Sequence, residues 1–332
     1  MEMASSEPRR RPDWLDSLLR VPGIRGAVYR IAESGRRGRL LARAGMDYAR
    51  LEFGSPEGRP EICAVLVGRN DDYMPDFLGR LRATIQWNLR YLVSEIVFVE
   101  WNPPPGRPLL ATALAAEFPE VRAYVVPPET HVATCENPRL PLLEYHAKNV
   151  GIRRASAPWI LVTNGDAAVG LDSVRRILRA PLRQDEVWTA ERHDVAWVDE
   201  RSAGLGRVNI FGRRKIVPYR SLGTGEFALA SRDLWHRVRG YDESLVRHRI
   251  GCDSRGVAQM VAHGARIRRA GSVLHMQHDT SCTVDAGPHQ GEAASIEGVP
   301  YSNLEGWGLR DARESPIAER VWELVPGHAK ST

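Results

Sequence analysis

The sequence predicts an α/β fold: a mostly parallel central sheet flanked by helices. Three observations predict it. Short apolar runs rich in β-branched residues alternate with helix-length stretches between Ile62 and Thr163, the pattern of successive strand–helix–strand units. Those runs are continuously apolar rather than alternating, as strands buried on both faces are. Three of them end in polar or acidic turns, Asn70-Asp71-Asp72, Glu100-Trp101-Asn102 and Asn164-Gly165-Asp166. Ligands of open α/β sheets sit outside the carboxyl ends of the strands. A purely structural sheet has no need to gather acids along that edge.

The elements follow in order. Residues 1–12 are polar, and 13–53 read as two or three short arginine-bearing helices broken near Pro22-Gly23 and Gly35. That extension admits two readings, packing on the core or lying as a basic amphipathic segment on a membrane face. GSPEGRP at 54–60 is a linker. Ile62–Val67 is a buried strand, and Pro75–Leu92 is an amphipathic helix with Phe77, Leu78, Leu81, Ile85 and Leu89 on one face. Glu95–Trp101 is the next strand, Leu109–Glu117 a helix and Val121–Val126 the third strand. Tyr145–Ala155 reads as a helix with a basic and polar face, broken by Ser156-Ala157-Pro158 before the strand Trp159–Thr163. Beyond it come a helix at 171–180, strand and turn at Glu186–Trp197, and a hairpin-like stretch at Asn209–Val217. A strand opened by Gly223 and a helix at Arg232–Val238 follow. Last come a helix at Ser254–His263 and two strands, Ala265–Arg268 and Ser272–Met276. Domain boundaries fall at 1–60 for the extension, 61–282 for the core and 283–332 for a Gly-rich polar tail that packs or lines an acceptor site.

Composition bounds the function. The chain has 332 residues, 43% hydrophobic, with net charge +5. That suits one large core. The basic excess suits phosphate-bearing substrates or an anionic surface, and is too dispersed to argue for nucleic acid. Cys63, Cys135, Cys252 and Cys282 show no CxxC or zinc spacing, which implies reduced thiols in a cytoplasmic protein. No apolar run reaches the roughly 18 residues of a membrane span, and the first residues lack the apolar stretch of a secretory leader. The only lysines are Lys148, Lys215 and Lys330, so Lys148 stands out beside Asn149. There is no GxxxxGK[ST] loop, no GxSxG elbow, and no glycine fingerprint after the first strand, which argues against a nucleotide-binding P-loop, an α/β-hydrolase and a dinucleotide-dependent dehydrogenase.

Four blocks, CAVLVGRNDD, EIVFVEWN, AKNVGIRRASAPWILVTNGDA and GTGEFALASRDLWHRVRGYDES with GCDSRGVAQMVAHGARI, together resemble the GT-A nucleotide-sugar glycosyltransferases, closest in style to family 2. The resemblance covers about Ile62–Asp279. It implies a Rossmann-like GT-A core that moves a sugar from a nucleotide-sugar donor to a small-molecule or glycan hydroxyl, with inversion. It places Asn70 and Glu100 near the nucleobase and ribose, and lets Lys148 face the nucleotide. Asn164 and Asp166 match the two ends of the DxD motif, with Asp166 binding Mn²⁺ or Mg²⁺. Asp253 matches the general base, and His275 or His278 a further metal ligand. Spacing of three on an extended segment turns the two histidines apart, so at most one is expected to ligate, with His278 preferred. Asn164 replaces the first acid of the motif, and Cys252 replaces the acid before Asp253.

Alternatives stay open at each residue. Asp253 can serve as an N-cap as well as a base, and Glu100 can merely cap a turn. Glu226 and Asp242 line the acceptor pocket or serve turns, Trp307 stacks on a sugar, and the tryptophans at 101, 159, 188, 197 and 235 are core candidates. At the level of the chain the rivals are a degenerate GT-A core that binds without turnover and a sugar-phosphate nucleotidyltransferase. The latter lacks its GxGTRxxP loop here. Acceptor choice would reside in 195–225 and 283–320. The sugar, the base and the oligomeric state are not encoded in any motif.

Overall fold

The computed structural model describes residues 59–195, 198, 225–276, 278 and 292–326. The expected N-terminal helices, the 209–217 hairpin, most of the 195–225 segment, Trp197 and Cys282 lie outside the described residues.

Strands β1 (Ile62–Gly68), β2 (Glu95–Trp101), β3 (Val121–Val126) and β4 (Trp159–Val162) form the parallel heart of a ten-stranded sheet, in the order β3-β2-β1-β4. Chain progression runs from β1 to β3 on one side and resumes with β4 on the other. The gap between β1 and β4 is therefore the topological switch point. The sheet continues beyond β4 through β7 (Ala228–Ser231), β6 (Glu186–Val195), β9 (Arg266–Met276) and β5 (Ala167–Val169). β7 is antiparallel to both β4 and β6, and β9 is parallel to β6. Hence β1, β2, β4, β6 and β9 all end at one edge, and β7 begins there.

Side chains alternate across β1. Ile62, Ala64 and Leu66 pack with helices α1 (Phe77–Tyr91), α2 (Leu110–Glu117) and α5 (Leu171–Arg179). Cys63, Val65 and Val67 pack on the other face with α4 (Glu144–Arg154), α6 (Arg232–Val238) and α7 (Cys252–Ala262). In α1, Leu81 and Ile85 are fully buried, each contributing about 1.5–3 kcal/mol by leaving water. The same helix protects the sheet edge. Trp87 Nε1 donates to the Val169 carbonyl at 2.8 Å, and Val169 N–H donates to Asn88 Oδ1 at 3.0 Å. Side chains thereby satisfy β5, the outermost strand.

The expected basic face of α4 is not solvated. Every residue from Tyr145 to Ile152 is buried, because its polar side chains bond inward. Asn149 Nδ2 donates to the Tyr241 carbonyl at 2.8 Å, and Tyr241 N–H donates to Asn149 Oδ1 at 2.7 Å. At Gly240, φ is +71°, and a Cβ there would lie 2.2 Å from Asn149 Oδ1. That requirement joins the AKNVGI helix to the GYDE turn. Gly151 plays the matching part toward the sheet, where a Cβ would lie 2.4 Å from Val65 Cγ1.

Several expectations shift. The two strands foreseen at 265–276 are one, β9, because the irregularity near Gly271 is absorbed as a register shift between Thr189 and Glu191 of β6. The short helix α3 (Pro128–Thr134) and the small sheet of β8 (His248–Ile250) with β10 (Glu292–Ala293) were not foreseen. Nor was the hairpin β11 (Arg313–Ala318) and β12 (Val321–Val325), which adds the tail to the main sheet beside β3. Trp307 is buried, with the Arg153 guanidinium 4.6 Å from its ring centroid, so it packs the tail onto α4 and offers no sugar platform. Trp101, Trp188 and Trp235 are core residues. Cys63, Cys135 and Cys252 carry free thiols. No helix among the described residues is long and apolar enough to cross a membrane.

Candidate active site

The common strand edge gathers titratable groups at the switch point. β4 ends at Val162, and the chain turns through Asn164-Gly165-Asp166 into β5. The antiparallel register of β5 on β9 sets Ala167 opposite His275, and Met276 N–H donates to the Asp166 carbonyl at 2.9 Å. Asp166 is thus pinned beside the end of β9. Its Oδ2 lies 3.1 Å from His275 Nε2 and 3.1 Å from His278 Nε2. One ligand atom from each of the three residues falls within a 4.8 Å cluster.

Both histidines therefore converge, against the expectation that they face apart. The period-two argument holds only within a strand, and β9 ends at Met276. Burial favours neutral Asp166, yet the two imidazoles outweigh it and hold the carboxyl well below its usual range. Burial opposes charge on His275, but Asp166 and then Asp194 push its pKa up to about 9. A buried carboxylate with two convergent imidazoles is a plausible chemical donor set for a divalent first-row ion. Two nitrogens fit Mn²⁺ better than Mg²⁺, which prefers oxygen ligands and retained waters.

Lys148, Asn164, Glu100 and Asn70 are drawn to the same edge in supporting positions. Lys148 is wholly buried, and its Nζ donates to Glu144 Oε1, to Asn164 Oδ1 at 2.9 Å and to the Gly225 carbonyl at 2.9 Å. Its ammonium ties α4 to the turn after β4 and to the segment entering β7. Asn164 thereby spends its oxygen on Lys148, which explains how the turn holds without the first acid. Glu100 is wholly buried as well. Its Oε2 accepts from Ala111 N–H at 2.8 Å and its Oε1 from Asn70 Nδ2 at 3.1 Å. α2 has no capping side chain of its own, so Glu100 serves as its remote N-cap. Burial raises its pKa, against the backbone donors. Asn70 also donates to the Pro108 carbonyl at 2.9 Å, and remains partly exposed at the mouth of the edge.

Asp253 lies in the first turn of α7, whose N-cap is Gly251 with φ +81°. The capping alternative for Asp253 is thereby removed. Burial pushes its pKa up to about 6, opposed by the Ser254 backbone and Lys148, and reinforced by Glu226 and Glu144. A half-buried carboxyl with its pKa raised to about 6 has the properties of a general base. Neighbouring Cys252 is pushed up to about 12 by burial, Glu144 and Asp253, which leaves an inert thiol. Asp242 is structural. Its Oδ1 accepts from Ser244 N–H at 3.0 Å and its Oδ2 from Arg255 Nε at 2.7 Å.

Sequence reasoning missed Arg192 and Asp194. Arg192 Nε donates to Asp194 Oδ1 at 2.9 Å and its Nη1 to Glu226 Oε1 at 2.5 Å. A continuous chain of charged contacts thus runs from the Asp166 cluster through His275 and Arg192 to Glu226. The available signal was an arginine and an aspartate two apart in the strand segment ERHDV, which places both on one face. Tyr73, in the turn after β1, was also missed. Its ring lies 6.5 Å from that of His278 in an edge arrangement.

No protein-family model and no curated protein matches the chain. Among solved structures it is similar to GalNAc-T7 with UDP, GalNAc and Mn²⁺, at 12% identity and TM-score 0.46, over 66% of this chain and 44% of that one. It is also similar to S. aureus TarS, at 12% identity and TM-score 0.40, over 63% of this chain and 35% of that one. The matched part spans less than half the length of either. The functional reading rests on the site itself.

Proposed function

We propose that the chain is a glycosyltransferase that moves a sugar from a nucleoside-diphosphate sugar to an acceptor hydroxyl, with inversion and with a divalent ion, Mn²⁺ by preference. The observation that carries the reading is the convergence of Asp166, His275 and His278 at the switch point.

Asp166 Oδ and the two histidine Nε2 atoms would hold the ion. When bound, it supplies positive charge where the departing diphosphate gains negative charge. Asp253 takes the proton of the acceptor hydroxyl as its oxygen attacks the anomeric carbon on the face opposite the leaving nucleotide. A pKa near 6 leaves Asp253 mostly ionised at neutral pH yet basic enough to accept that proton. Lys148 and Glu100 keep the strand-edge turns in register and do not touch substrate. A second reading, nucleotide binding without turnover, is favoured by one observation: the oxygen of Asn164 is engaged by Lys148 and offers the ion nothing.

The test is a turnover assay on a panel of UDP-, GDP-, dTDP- and CDP-sugars, with Mn²⁺ and with chelator. Metal-dependent release of one nucleotide, abolished in His275→Ala, is the expected result. Tight metal-dependent nucleotide binding with no release from any donor, with or without candidate acceptor alcohols, would establish the second reading in its place.

A further inference from the structure

We infer that Asp194 is a positioning residue for the cation site, holding the His275 ring so that Nε2 faces Asp166. The inference rests on the cation-site reading above. Strand pairing, rather than a flexible side chain, brings the two together. β6 runs parallel to β9 with Asp194 directly across from His275, and Asp194 Oδ1 lies 3.0 Å from His275 Nδ1. A carboxylate at Nδ1 accepts its N–H, which leaves the lone pair of Nε2 for a cation and fixes the ring plane.

The surroundings make the arrangement specific. Arg192 Nη2 lies 2.8 Å from the same Nδ1. A guanidinium can only donate, so on its own it would favour the opposite tautomer, with the proton on Nε2 where it blocks a cation. Asp194 and Glu226 draw the guanidinium onto themselves, through Nε and Nη1 respectively. Asp194 therefore acts twice, on the ring directly and on the group that competes for it. Glu226 acts only on the competitor. His275 is buried, which limits solvent access to the Nδ1 partner.

The experiment is titration of the metal-free full chain with Mn²⁺ alone, followed by electron paramagnetic resonance of the free ion, for wild type, Asp194→Asn and Glu226→Gln. Outer partners of metal-bound histidines typically contribute about 10–100-fold in affinity. Asp194→Asn is expected to weaken Mn²⁺ binding by about that factor, and Glu226→Gln, which touches only the competing guanidinium, to weaken it by clearly less. Long-range ¹H–¹⁵N spectra of metal-free Asp194→Asn should show the His275 ring nitrogens shifted and those of His278 in place. Should Asp194→Asn fail to fold, Asp194→Glu carries the test. It keeps the charge beside Arg192 while its extra methylene moves the carboxylate off Nδ1, and it should weaken binding too. A folded Asp194 variant that binds like wild type overturns the inference. Equal weakening by Asp194→Asn and Glu226→Gln overturns it as well, since that is what a merely structural ion-pair network predicts. Absence of Mn²⁺ binding in wild type overturns the cation site itself, and with it the inference.

Discussion

Replacing Asp253 by Asn should raise stability while removing activity. A carboxyl whose folded pKa stands above its unfolded value destabilises the fold when ionised. That cost is complete above the folded pKa and vanishes as pH falls from about 6 through 3.8. The interval between 3.8 and about 6 corresponds to about 3 kcal/mol. Against this, an acid in the first turn of α7 gains about 0.3–1 kcal/mol from the helix dipole, which the amide forgoes. Burial wins, and Asp253→Asn should be more stable by about 2 kcal/mol at pH 7.5, a rise of roughly 4–8 °C in Tm. The gain should shrink steadily below pH 6 and be lost near pH 4. Thermal unfolding of both proteins across that range measures it. In parallel, wild-type kcat/KM should climb with pH through an apparent pKa near 6 and then level off. The variant should lose that limb and about 10²–10⁴ of rate. An Asp253→Asn protein that is less stable at pH 7.5, or whose gain does not depend on pH, would refute the argument that this carboxyl is held ionised at a cost.

Three further perturbations probe the scaffold. Lys148→Met strips one buried cation from three acceptors and should cost about 3–5 kcal/mol in urea unfolding. Asn149→Ala leaves the Tyr241 N–H and carbonyl without their partner, and should cost about 2–4 kcal/mol by the same measurement. Gly151→Ala forces a methyl against Val65 and should cost about 1–3 kcal/mol, with a change in denaturation midpoint but not in slope.

The parallel heart of the fold was legible because its signals are local. β2 and β3 fall at the predicted residues, and β1 and β4 lie within one residue at each end. Their apolar runs and turn residues need no tertiary information. α4 shows the limit. Its periodicity located it, yet the burial of His146, Lys148 and Asn149 depends on partners outside the helix, 16 to 97 positions away. The same holds for Glu100, where acidity at a strand end was legible but service to α2 was not. Asp166 and Asp253 were singled out by the family resemblance, together with their places after a strand and at a helix start. The joint role of His275 and His278 was not, because it arises where β9 ends and the chain leaves its two-residue period. β11 and β12 escaped because an edge hairpin, with Pro316 in it, carries little apolar alternation.

The measurement that tests the central claim most directly is a thermal-shift panel of UDP, GDP, dTDP and CDP, each with Mn²⁺, with Mg²⁺ and with EDTA, on wild type and Asp166→Ala. A ligand that binds only the folded state raises apparent stability by mass action, about 2.7 kcal/mol at a hundredfold excess over Kd. The account predicts a rise for one nucleotide that requires a divalent ion, is larger with Mn²⁺ than with Mg²⁺, and disappears in Asp166→Ala. A rise that persists in EDTA and in Asp166→Ala, or no rise with any nucleotide, would contradict it.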